Sequence, residues 1–314
     1  MNRAKALVDS YSSNKNDRIV LLLDLDCFYA QCETVRLNLP QSLPLCLLQW
    51  NSALAVNYPA REYGIKRGDG FAEIQSKGKG KVFALHLPVI PMKQTLEKIC
   101  NNTKETEDQD VNENNDDSVL TMEEMYREQF ELSPEQQKDI FQREKNVVRN
   151  PKEGKANIER YRIASRRIFA VILETLTKLC GNNNFILEKA SIDELFVDVT
   201  NFCYQAASVP AINRNIDNET SHQHHDLAAA KDKTVIVHDS LSCQDADSHG
   251  NEIEDSALWH GCRVAYLIRK SVFETLGFTL SAGISVNKLL AKLGAGYGKP
   301  NGQAVIFPYA IHKV

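Results

Sequence analysis

The chain has no long apolar run. A membrane-spanning helix needs roughly 20 consecutive apolar residues, and the longest stretch here, around IVLLL at residues 19–23, is only long enough for a buried strand. Nor does the N-terminal MNRAKALVDSYSSNKNDR contain the apolar region of a signal peptide. A soluble intracellular protein with no membrane partner is therefore expected. Its eight cysteines, at 27, 32, 46, 100, 180, 203, 243 and 262, form no C-x-x-C pair. That spacing argues against a zinc ribbon or a secreted disulfide framework and for a reducing compartment. KGKGK at 77–81 is rich in glycine and lysine but lacks the Walker pattern, and reads as a turn joining strands. His222, His224 and His225 lie in a polar stretch without cysteines or acids at ligand spacing, and read as solvated linker.

An excess of positive charge is also missing, since the formal net charge is −4. Residues 101–135, however, hold twelve acids against two bases, which leaves the rest of the chain at +6. A mildly basic body with an acidic insert does not exclude a nucleic-acid partner.

Composition and periodicity divide the chain. Residues 1–17 read as a flexible tail. RIVLLL at 18–23 is a strand buried on both faces that ends in acids. LPLCLLQW, SALAVNYPA and KVFALHL are further short strands. Residues 99–150 shift to Asn, Glu, Asp and Gln and read as an acidic insert, partly helical and poorly packed, with Pro134 interrupting any long helix. Ile158, Tyr161, Ser165, Ile168, Ile172, Leu176 and Leu179 recur at helical spacing, so 156–180 is an amphipathic helix closed by Gly181. Residues 206–255 are a second polar insert. Order returns with a helix near 257–276, a strand in FTLSAGIS and a helix in VNKLLAKLGAG.

LEKASIDELFVDVT at 187–200 places Asp193 and Glu194 inside a strand pattern, where an unpaired carboxylate is costly and calls for a cation. Asp24 ends the first strand. Three acids from two strands are what two-metal phosphoryl transfer requires, because carboxylates must bridge hard cations while substrate phosphates complete the shell. Asp193 and Glu194 would point to opposite faces of a regular strand, so a turn is expected at about Ser191 to Asp193. Asp26 shares the face of Asp24 by alternation and is a weaker candidate ligand. Tyr58, Arg61 and Arg67 could supply a hydroxyl and cations to a triphosphate. Lys288, Lys292 and Lys299 could line a phosphate-side surface.

Taken in order, LLDLDCFYAQCE, NYPAREYGIKRGD, GKANIERYRIASRRIF, ASIDELFVDVT and SAGISVNKLLAKLGAGYGKPNGQ resemble the motifs of Y-family translesion DNA polymerases, most closely the eta branch. The resemblance covers about 18–98, 152–204 and 257–308. It implies an α+β fold: a polymerase palm with a mixed or antiparallel sheet backed by helices, a small fingers domain, and two largely disordered inserts. The palm would comprise 18–47, 151–205 and 256–308, and the fingers 48–98, with 309–314 beginning a thumb that does not continue.

By the same resemblance Asp24, Asp193, Glu194 and the Leu25 carbonyl hold two Mg²⁺ ions. Cys27, Phe28 and Tyr29 lie against the nucleotide sugar, with Tyr29 as the steric gate. Tyr58, Arg61 and Lys299 contact the triphosphate, and Gln49 and Arg67 touch the template or nascent base pair. The implied partners are primer-template DNA and deoxynucleoside triphosphates, with a sliding clamp reached through a missing C-terminal region, and the implied location is the nucleus. QWNSALAVNY is shorter than the family's usual fingers stretch, and without thumb and little finger the grip on DNA should be weak. A nucleotidyl cyclase and a non-catalytic repair adaptor are the alternatives.

Overall fold

The computed structural model of the protein describes residues 18–91, 120–208, 226–237 and 252–313. The three candidate histidines, Cys100 and Cys243 lie outside the described residues. In chain order the elements are β1 (Val20–Leu25), α1 (Phe28–Arg36), β2 (Leu45–Gln49), β3 (Ser52–Val56), α2 (Tyr58–Arg61), α3 (Phe71–Gly78), β4 (Phe83–His86) and β5 (Val89–Pro91). There follow α4 (Met122–Phe130), α5 (Pro134–Glu144), β6 (Gly154–Ala156), α6 (Glu159–Cys180), β7 (Ile186–Lys189), β8 (Glu194–Asp198) and α7 (Thr200–Ala207). The last are β9 (Thr234–Ile236), α8 (Glu252–Leu276), β10 (Leu280–Ser285), α9 (Lys288–Gly298) and β11 (Gln303–Val305). The chain forms two compact units, one of residues 1–26 and 171–314, the other of residues 27–170.

The first unit is built on a six-stranded mixed sheet ordered β7-β8-β1-β10-β11-β9. Pairing is antiparallel from β7 to β10 and parallel at β10–β11 and β11–β9. The expected α+β class with a mixed sheet backed by helices is what is found. β1 is apolar throughout because both its faces are covered. Val20 and Leu22 pack with Ala291 and Ala295 of α9, whereas Leu21 and Ile19 lie against Gly261 of α8. By two-residue alternation Asp24 belongs to the α9 face. α9 itself starts at Asn287, whose Oδ1 accepts from the Leu290 amide at 2.9 Å.

The second unit holds a three-stranded sheet, β3-β2-β4, and a small antiparallel pair, β5-β6. Its core gathers Leu48, Ala53, Val56, Ile65, Ile74 and Val82, with Tyr63 and Phe71 packed against them. α6 spans the division between the units, and its predicted apolar positions Tyr161, Ser165, Ile168, Ile172 and Leu176 are buried. Gly181 follows it at φ 74°, the left-handed stop that the sequence predicts.

The two inserts fall partly outside the described residues. Where the acidic one is described it is helical, as expected: α5 buries no residue, and α4 buries Tyr126 and Phe130. Ser133 caps α5 with a reciprocal Gln136 contact, and Pro134 sits in the first turn, where a missing N–H costs nothing. Pro134 thus opens a second helix after α4 has ended at Phe130, so the segment is divided there as the sequence predicts. Thr121 and Glu124 form the same capping box on α4, whose Tyr126 and Phe130 are buried with rings stacked at 4.6 Å. The polar insert contributes β9 to the sheet edge, aligned with β11.

The closest backbone approach behind the carboxylate-bearing strands is at Gly283 of β10. A Cβ there would lie 1.8 Å from the Ala291 carbonyl oxygen and 2.3 Å from the Ala295 nitrogen. Gly283→Ala should therefore lift α9 off the sheet at a cost of about 3 kcal/mol, read as a lowered midpoint in urea unfolding. An unchanged midpoint would contradict the packing described.

Candidate active site

The β1–β8 register sets Asp24 directly opposite Glu194. The Leu25 amide donates to the Asp193 carbonyl at 3.0 Å, so the pairing continues one step past the strand end. β7 and β8 form an antiparallel hairpin, and the expected turn lies at its tip. Ser191 Oγ ties that turn together. It donates to Asp193 Oδ1 at 2.6 Å and accepts from the Asp193 and Glu194 amides at 3.2 and 3.0 Å. The irregular backbone frees Asp193 and Glu194 from strict alternation.

Two lysines from the α9 side neutralise this end of the sheet. Lys299 Nζ lies 2.5 Å from Asp24 Oδ2, and Lys292 Nζ donates to both Glu194 oxygens at 2.8 and 2.9 Å. Burial pushes the Asp24 carboxyl up. The hydrogen bond and charge of Lys299 pull it back, the neighbouring charges of Glu194 and Asp193 push it further, and the balance lies above the usual range. The Lys292 ammonium is raised, chiefly by its bond to Glu194. Lys288 pairs with Glu188 and lies over the Phe196 ring.

Among the described residues no group of three or more His, Cys, Asp or Glu is arranged to hold a metal ion as it stands. The chemistry of the donors nonetheless suits a hard dication: they are carboxylate oxygens, and Asp24 is raised first by burial, with the like charges of Glu194 and Asp193 adding to it. Asp26 is different. It is buried, with Oδ1 accepting from Ser281 Oγ at 2.8 Å and Oδ2 accepting from the Asn301 amide at 2.9 Å. Both oxygens are committed to protein donors, which makes it a structural acid.

In the second unit, Cys27 precedes α1 at φ 47°, a left-handed conformation uncommon for a residue with a Cβ. Its sulfur accepts from the Arg61 guanidinium at 3.3 Å, and Arg61 Nε donates to the Val56 carbonyl at 3.0 Å. The guanidinium carbon also lies 4.5 Å from the Tyr58 ring centroid. Asn57 fixes this corner, accepting from the Ala60 and Leu45 amides and donating to the Leu43 carbonyl. Cys27, Tyr58 and Arg61 are thus brought together.

Phe28 is buried, and its ring meets Tyr29 edge-on at 5.6 Å. Tyr29 packs on Tyr161 at 4.9 Å, and the Tyr161 hydroxyl donates to Glu33 at 2.8 Å. Burial pushes the Glu33 carboxyl up, but Arg36 and Arg160, with the Tyr161 hydroxyl, outweigh it and hold the group below its usual range. Gln49 and Arg67 are both exposed, Gln49 at the β2–β3 hairpin tip and Arg67 in the turn before Asp69. Trp50, next to Gln49, is pinned by its amide donating to His86 Nε2 at 2.7 Å.

Sequence reasoning did not find the Lys292–Glu194 pair, although Lys288 and Lys292 stand four apart on a helix whose far end carries Lys299. It also missed the Glu33 network. There the signal was an acid three residues before Arg36 inside an otherwise apolar-faced helix.

A buried carboxyl with a raised pKa favours its neutral form, so ionised Asp24 costs folding stability above that pKa, and the cost fades as pH falls through it. Asp24→Asn should therefore raise the metal-free melting temperature at pH 7, with the gap to the parent closing toward pH 4. A gap that is constant with pH would show that Asp24 carries no such penalty.

The impB/mucB/samB family model matches residues 23–296. Among curated proteins, "N-acetyltransferase eso1" of Schizosaccharomyces pombe is 25% identical over 307 residues, covering 96% of this chain and 29% of that protein. DNA polymerase eta of Saccharomyces cerevisiae is 25% identical over 302 residues, covering 90% of this chain and 41% of that protein. DNA polymerase iota of Homo sapiens is 23% identical over 295 residues, covering 94% of this chain and 27% of that protein. The chain spans less than half the length of these relatives. Asp24, the β7–β8 hairpin and Lys292 all fall inside the matched region, and the chain belongs to the impB/mucB/samB family, within the UmuC-type, Y-family polymerase superfamily.

Proposed function

We propose that this chain is the palm and fingers of an eta-like translesion DNA polymerase, adding deoxynucleotides to a primer opposite damaged template bases. The observation that carries the reading is the register of Asp24 against Glu194, with Asp193 at the adjoining turn. Mg²⁺ bound by Asp24, Asp193, Glu194 and the Leu25 carbonyl would supply Lewis acidity toward the phosphates and the primer hydroxyl. The Asp24 and Glu194 side chains exchange their lysine partners for that charge. Lys299, Arg61 and the Tyr58 hydroxyl hold the triphosphate. Cys27, Phe28 and Tyr29 hold the sugar, and the Tyr29 ring excludes a 2′-hydroxyl. Gln49 and Arg67, both exposed, meet the template side. Primer-template DNA and deoxynucleoside triphosphates are the substrates, a sliding clamp is the further partner, and the nucleus is the site of action.

One observation favours a second reading. The carboxylates are paired with lysines, and no three ligands among the described residues stand ready for a metal. On that reading the chain is a catalytically weak or inactive module that holds damaged DNA or serves as an adaptor.

Single-nucleotide primer extension with Mg²⁺ separates the two. The polymerase reading expects incorporation that Asp193→Ala reduces at least about 100-fold, the scale that even outer partners of a metal command. Template binding by fluorescence anisotropy without incorporation would support the module. Incorporation unchanged in Asp193→Ala would remove the mechanism. In the same assay Tyr29→Ala should lower discrimination against ribonucleotides at least about tenfold; unchanged sugar selection would remove the gate assignment.

A further inference from the structure

We propose that Asp26 is a positioning residue for Lys299. It fixes the loop that brings the lysine ammonium to the carboxylate site, and so sets affinity for the nucleotide triphosphate. This rests on the reading of Lys299 as a triphosphate contact.

The loop between α9 and β11 is held from two sides. On one, Asp26 Oδ2 accepts from the Asn301 amide at 2.9 Å, while Ser281 Oγ, on the central strand β10, holds Oδ1 at 2.8 Å. On the other, Arg269 of α8 donates to the Asn301 carbonyl and, at 3.1 Å, to Asn301 Oδ1. Arg269 is itself anchored on the Leu280 carbonyl at 2.9 Å and on Gln303 Oε1 at 3.2 Å. Asn301 adopts φ 46°, a left-handed conformation that asparagine tolerates better than most residues. The loop is also pulled tight by its glycines: a Cβ on Gly302 would lie 2.3 Å from the Gly298 carbonyl oxygen. Lys299, two residues before Asn301, leaves this clamp with its ammonium 2.5 Å from Asp24.

Asp24 and Asp26 therefore act from the same strand end in different ways. Asp24 meets the cation directly, and Asp26, whose oxygens are occupied, meets the backbone that delivers the cation. A residue that works by geometry tolerates an isostere. In Asp26→Asn the amide oxygen can accept from Asn301 while the amide N–H donates to Ser281 Oγ, so both bonds survive without the charge. In Asp26→Ala both are lost and the Asn301 amide is released from the end of β1.

The test is fluorescence titration of the full chain with Mg²⁺ and mant-dATP, with melting temperatures measured alongside. Asp26→Ala should weaken binding about tenfold, and Asp26→Asn should stay within about twofold of the parent. In the Lys299→Ala background, Asp26→Ala should add nothing further, because the effect passes through the lysine. Ser281→Ala, which removes the bond to Asp26 Oδ1, should weaken binding about threefold and likewise add nothing to Lys299→Ala; it serves if Asp26→Ala does not fold. Asp26→Asn as damaging as Asp26→Ala would show a role for the charge and overturn the proposal. So would additive losses with Lys299→Ala. If Lys299→Ala alone binds like the parent, it is the triphosphate assignment of Lys299 that fails, and the inference with it. In primer extension the same variants should raise KM for the nucleotide with kcat nearly unchanged, since a contact equally present in ground and transition states acts on binding; a fall in kcat alone would overturn the proposal.

Discussion

Like-charge crowding at the end of β1 is the constraint on which the first unit is organised. Asp24 faces Glu194 across one pair of strands, and Asp193 follows at the turn that the Leu25 amide joins. Such a group is unfavourable in a half-buried setting unless positive charge is delivered to it. Delivery comes from one direction. α9 covers the face of β1 that Asp24 shares with Val20 and Leu22, and Lys292 and the loop bearing Lys299 belong to that layer. Gly283 allows α9 to lie against β10 backbone to backbone, and the opposite face is occupied by α8 through Gly261. The apolar character of β1, the small residues facing the helices and the lysine spacing on α9 are parts of one arrangement.

Much of this was legible in the sequence because the patterns obey strong periodicities. An uninterrupted apolar run followed by acids predicts a doubly covered strand with a polar end, and β1 is that. The predicted apolar positions of α6, and Gly181 after it, needed only the 3.6-residue repeat and a left-handed stop. What stayed hidden depends on tertiary partners. Asp26 looked like a candidate ligand because alternation says where a side chain points and nothing about which donors await it. Ser281 and Asn301 lie some 255 and 275 residues away in sequence. The acidic insert was legible as partly helical, but the helix starts were set by local chemistry that bulk composition does not show: Thr121 with Glu124, and Ser133 with Gln136 and Pro134.

The second unit shows the same economy with the signs reversed. Glu33 is buried in α1 and would be costly alone. Arg36, one turn on, and Arg160 of α6 bracket it, and the Tyr161 hydroxyl takes a share of the carboxylate. A buried ion pair adds little net stability compared with a well-packed apolar substitute, but removing one member strands the other and is strongly destabilising. The consequence is specificity of placement: once Glu33 is committed, the Tyr161 ring has one favourable orientation, and Tyr29 packs against it. If Tyr29 selects the sugar, its rigidity derives from this network and not from the apolar core alone. The sharpness of sugar selection and the folding of α1 onto α6 then depend on the same carboxylate. A change at Glu33 cannot loosen one without loosening the other, whereas a change at Tyr29 can alter selection and leave the fold intact.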